Sequence, residues 1–72
     1  MDENNCIGIV VNCMIANVYR TPDIGSRIVT IAECLEKVTV DLGQSTDDWY
    51  KVQTEDGVEG FCISEYIALC QN

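Results

Sequence analysis

The chain contains no histidine. Without one, neither a Ser–His nor a Cys–His nucleophile pair can be assembled, and the mixed Cys/His zinc sets are ruled out. Basic residues are scarce as well, four against twelve acids, for a formal net charge of −8. Such a surface repels the phosphates of nucleic acids and anionic lipid headgroups. No nucleic-acid or membrane partner is therefore expected, and a cationic ligand is favoured. No run approaches the roughly 20 apolar residues needed to span a bilayer. The acidic start, Met1-Asp2-Glu3-Asn4-Asn5, lacks the basic and then apolar regions of a secretory leader. If the chain is complete as given, the cytoplasm is the expected location. If it is a fragment of a secreted protein, the expectation is extracellular or cell wall. Glycine-rich phosphate loops are absent too. Adjacent acids occur at Asp47-Asp48 and Glu55-Asp56, but in turns, on a chain too short for a deep catalytic cleft. No enzymatic activity, cofactor or metal is expected.

What is present is a small globular composition. At 72 residues the chain is one domain at most, and 47% of it is hydrophobic, enough to offset chain entropy. Its core must be small, because a chain of this size buries only about 60% of its unfolded surface. Five cysteines stand at 6, 13, 34, 62 and 70 with no Cys-x-x-Cys spacing. Their odd number and scatter favour free thiols over a disulfide framework or a zinc site. Cys6 and Cys70, near opposite ends, could bridge if the terminal strands pair.

The pattern along the chain is that of short strands. Residues 7–15 are rich in Ile and Val and read as a first strand, with residues 16–19 leading into a loop. Residues 21–26 hold the one proline, with strong turn chemistry. Residues 27–32 read as a strand. Residues 36–42 alternate cleanly, with Val38, Val40 and Leu42 on one face. A turn over residues 43–47 precedes a hairpin. Its arms are residues 48–54 and 58–62, and its turn is Glu55-Asp56-Gly57. Ser64-Glu65-Tyr66 suits a single 3-10 turn and residues 67–70 a last strand. Five or six short strands predict an all-β barrel or sandwich. Residues 1–7 read as an N-terminal extension and residues 8–70 as the domain.

Several motifs occur together in order: Asn17-Val18, Pro22, Ile28-Val29, Val38-Thr39-Val40, Asp48-Trp49-Tyr50-Lys51-Val52, Asp56-Gly57, Gly60-Phe61 and Ser64-Glu65-Tyr66-Ile67. In this sequence and spacing, from about residue 8 to residue 68, the chain resembles the bacterial SH3 domain. The resemblance implies a small SH3-like β-barrel whose work is binding. Tyr19 stands where members usually have Arg, and Leu35 where they often have Gly, implying a different turn there. Ile63 stands where eukaryotic SH3 domains have the Pro that precedes their Ser-Asn-Tyr segment. Peptide recognition in the eukaryotic manner is thus not implied.

Tyr19, Trp49 and Tyr66 are the candidate groove, because aromatics give large contact area at low entropic cost. Strand alternation sets Trp49 opposite to Val52, which belongs inside. Asp23, Asp47 and Asp48 would flank the groove and favour cationic ligands. Tyr50, Phe61 and Cys62 are assigned to the core. The plainer alternative is that the aromatics close the core and the acids form a solvated face. Three roles follow: a protein- or peptide-binding module, a peptidoglycan-targeting domain of a larger hydrolase, or a small acidic inhibitor, of phage or other origin, covering a basic surface. The acidity counts against the second, since wall polymers are themselves anionic. Sequence alone leaves the oligomeric state open.

Overall fold

The computed structural model describes residues 4–70. Seven strands form one antiparallel sheet: β1 (Asn5–Val10), β2 (Ile15–Tyr19), β3 (Ile28–Glu33), β4 (Lys37–Asp41), β5 (Trp49–Gln53), β6 (Glu59–Ile63) and β7 (Ile67–Leu69). Two 3-10 turns interrupt them, Leu42–Gln44 and Ser64–Tyr66. The all-β class, the second of those turns and the 55–57 hairpin turn match the sequence reading, with Gly57 at φ 88°.

The strands exceed the expected five or six because the first Ile/Val run is two strands. Asn12 takes a left-handed φ of 64° and kinks the chain between β1 and β2, which run on in the same sense, β1 along β4 and β2 along β3. Asn tolerates that region better than its β-branched neighbours do. Its side-chain amide is anchored across the fold on the carbonyl of Glu65 at 3.1 Å. The strand beginning at Asn5 also overlaps the segment read as an extension: Asn5, Cys6 and Ile7 pair with Asp41, Val40 and Thr39 of β4.

Strand order is β3-β2-β6-β5-β4-β1-β7. Every strand sends small side chains into one core: Val10 from β1, Ala16 and Val18 from β2, Ala32 from β3, Val38 and Val40 from β4, Val52 from β5, Cys62 from β6 and Ile67 from β7. These positions alternate along each strand, as a half-buried sheet requires. Leu42, expected with Val38 and Val40, lies beyond the end of β4 in a 3-10 turn and is exposed.

β1 pairs with both β4 and β7, so the chain ends are tied together. The condition for a Cys6–Cys70 bridge is met, yet all five cysteines are free. The register explains this. Gly8 faces Leu69, and the Cys70 N–H donates to the Ile7 carbonyl. Cys70 therefore shares a face with Ile7, and alternation turns Cys6 to the other face, where it packs on the core.

Candidate functional site

Tyr19 ends β2 and Trp49 begins β5, and their rings meet edge to face with centroids 5.6 Å apart. That geometry suits two aromatic quadrupoles. β2 reaches β6 at the Tyr19–Phe61 pair, and Trp49 lies opposite Ile63 on β6. Both rings are thus set by β6.

Gly60 is what allows the approach. A Cβ there would lie 2.6 Å from the Tyr19 carbonyl oxygen and 2.6 Å from a Val18 methyl. Only glycine lets the two strands come this close where Tyr19 sits.

Beside the ring pair is a cleft of about 250 Å³ lined by Cys13, Ile15, Ala16, Asn17, Tyr19, Ile63 and Tyr66. Tyr66 enters it from the 3-10 turn after β6, a turn fixed by the Val11 N–H donating to the Tyr66 carbonyl at 2.9 Å. Asn17 donates its side-chain N–H to the Tyr19 hydroxyl at 3.4 Å. Of the three expected groove aromatics, Tyr19 and Tyr66 line this cleft, and Trp49 stands against Tyr19 beside it, outside the lining; all three are half-buried.

The expected acids divide. Asp47 and Asp48 immediately precede Trp49, and Ser64 binds them to the turn that carries Tyr66. Its hydroxyl donates to the Asp47 carbonyl at 2.7 Å and its N–H to the Asp48 carbonyl at 2.9 Å. Both residues are exposed, and among the described residues neither carboxylate has a hydrogen-bond or ion-pair partner. Asp23 behaves differently. Its carboxylate accepts the Gly25 N–H at 2.8 Å and holds the loop between β2 and β3 in a turn. No contact among the described residues joins it to the cleft.

The three core assignments from the sequence part ways. Tyr50 packs against the core and Cys62 is buried. Phe61 is not in the core. It neighbours Cys62 in an extended strand and so must face the other way, opposite Lys51, whose ammonium lies 5.5 Å from its ring centroid. Lys51 also pairs with Glu59 at 3.4 Å. Phe61 and Lys51 thus continue, along β5 and β6, the face that Trp49 and Ile63 begin.

Asn17, Ile63 and Cys13 belong to the cleft and were not picked out in the sequence. For Asn17 the signal was present: Ile15, Asn17 and Tyr19 alternate along β2 and share a face. Among the described residues no group of three Cys, Asp or Glu residues stands where it could hold a metal ion.

No curated protein and no solved structure matches the chain. One family does, the bacterial SH3 domain, over residues 16–68, from Ala16 in β2 to Ala68 in β7, a span that holds Tyr19, Trp49 and Tyr66. The chain belongs to the bacterial SH3 domain family, and it is a small SH3-like binding module.

Proposed function

We propose that the chain binds a protein or peptide segment in the cleft between Tyr19, Trp49 and Tyr66, and catalyses nothing. The observation that carries this reading is a cleft lined by half-buried Tyr19 and Tyr66, extended at its side by the Trp49 ring packed edge to face on Tyr19. Aromatic rings that pack on one another and still keep exposed area make a stacking platform for a backbone or an apolar side chain. The unpaired carboxylates of Asp47 and Asp48 beside Trp49 favour a ligand with Lys or Arg next to its apolar anchor.

The test is a peptide-display selection on immobilised protein, run beside binding to purified cell-wall sacculi. Selected peptides should be basic with an apolar anchor. Trp49→Ala should weaken them by about 2 kcal/mol, roughly thirtyfold, because central aromatics dominate such interfaces. Neutralising both acids, Asp47→Asn with Asp48→Asn, should weaken them less and flatten the salt dependence. Retention by sacculi with no peptide selected would replace this reading with the wall-targeting one.

A further inference from the structure

The edge formed by β3 is unlike the rest of the surface. Of the nine large hydrophobic residues exposed among the described residues, seven lie between Met14 and Leu35: Met14, Ile15, Ile24, Ile28, Val29, Ile31 and Leu35. That same segment holds two arginines and two acids and carries no net charge, although the chain as a whole carries −8. β3 ends the sheet, so one side of its backbone has no strand beside it. Natural edges of this kind are usually blunted by inward charges or proline. From Ile28 to Ala32 there is neither, and the one irregularity is a bulge at Val29.

The backbone phase of the free side can be read off. The Cys34 N–H donates to the Met14 carbonyl, which turns Cys34 toward β2. Alternation then turns Glu33 and Ile31 outward. Register slips between Val18 and Tyr19, which pair with Thr30 and Ile28, so Val29 is skipped by β2. Beyond this bulge Arg27 turns its carbonyl back to β2, where it accepts the Arg20 N–H at 2.8 Å, leaving only its side chain to reach across the edge.

We propose that two copies of this chain pair through β3, antiparallel, about a two-fold axis at Thr30. This register sets Val29 opposite Ile31 and Ile28 opposite Ala32 of the other copy. It also sets Arg27 opposite Glu33, once on each side of the axis. A two-fold interface must be self-complementary, and the stretch Arg27-Ile28-Val29-Thr30-Ile31-Ala32-Glu33 is so in both charge and apolarity. Shifting the centre by one residue to Ile31 would put Arg27 against Leu35 and lose both ion pairs. The neutral edge lets two strongly acidic molecules meet without bringing net charge into contact. One strand pair is smaller than most stable interfaces, so the dimer is weak and concentration-dependent.

Sedimentation equilibrium over a range reaching millimolar protein tests this with a charge swap. Wild type should shift from monomer to dimer. Arg27→Glu alone and Glu33→Arg alone should each weaken the dimer at least about tenfold, since both cross-strand pairs become like-charged. Mixed one to one, the two single variants should pair with each other, because every contact between them joins opposite signs. The double variant should restore self-pairing. Circular dichroism confirms that each variant is folded. Trp49→Ala should leave the dimer intact, which separates this inference from the cleft. A wild type that stays monomeric overturns the proposal, even if the edge then captures a strand of another protein. So does a dimer indifferent to the charge swap.

Discussion

Leu35 sits at φ 68°, in the left-handed region that a side chain with a Cβ enters at a cost of roughly 1–2 kcal/mol. Leu35 was expected to change the turn, yet its backbone takes a left-handed conformation that glycine adopts freely. It is held there because the Leu35 N–H donates to the Val10 carbonyl at 2.8 Å and the Glu36 N–H to the Glu33 carbonyl at 2.9 Å. Its side chain is 71% exposed, so little packing is lost on removing it. Leu35→Gly should therefore raise stability by about 0.5–1 kcal/mol in urea denaturation, the relief of strain outweighing the added freedom of the unfolded chain. A clear loss of stability would mean that the side chain packs where it is drawn as exposed. Cys62 makes a second residue-scale case. Burial, with Cys13 nearby as a smaller cause, pushes its thiol from 9.0 up to about 11. A raised value means that the folded state holds its proton longer than the unfolded chain does. The stabilisation is full below about pH 9 and is lost as pH climbs toward about 11. Between about pH 8 and about pH 10.5 the wild-type urea midpoint should fall further than that of Cys62→Val, which lacks the titrating group. Equal falls would contradict the burial of this thiol.

At the scale of elements, the join between β2 and β6 carries the site. Gly60→Ala would drive a methyl against the Tyr19 carbonyl and Val18, and should cost about 2–3 kcal/mol or more in thermal or urea unfolding. A neutral effect would show that β2 can retreat from β6 without loss. Much of this level was legible beforehand. The 55–57 hairpin turn, the 3-10 turn at Ser64–Tyr66 and the three groove aromatics all have local signals: turn residues, alternation and aromatic spacing. The break at Asn12 was hidden, because apolar residues flank it, Val10-Val11 before and Cys13-Met14-Ile15 after, and only φ distinguishes a kink from a continued strand. Phe61 was misplaced for a different reason. Composition favoured both Phe61 and Cys62 inside, whereas adjacent residues of one strand cannot both face the core. The core took the small thiol and left the ring outside. Asp23 illustrates a third limit: its place in sequence suggested a flanking charge, but its carboxylate closes its own loop.

The whole molecule divides its tasks by surface. Small side chains from all seven strands fill the centre, an apolar neutral edge borders β3, and a cleft lined by Tyr19 and Tyr66 opens beside Trp49. The central claim is that this cleft is where the molecule meets its ligand. Trp49 is the chain's one tryptophan, so its fluorescence reports on the cleft without interference. The most direct measurement is a titration of that emission with a basic, apolar-anchored peptide from the selection, with calorimetry of Trp49→Ala against the same peptide. A saturable change in emission is expected with the wild type, and a loss of about 2 kcal/mol of affinity in a variant that stays folded. Calorimetric binding that leaves the emission untouched, or a variant that unfolds because Trp49 is part of the core, would contradict that claim.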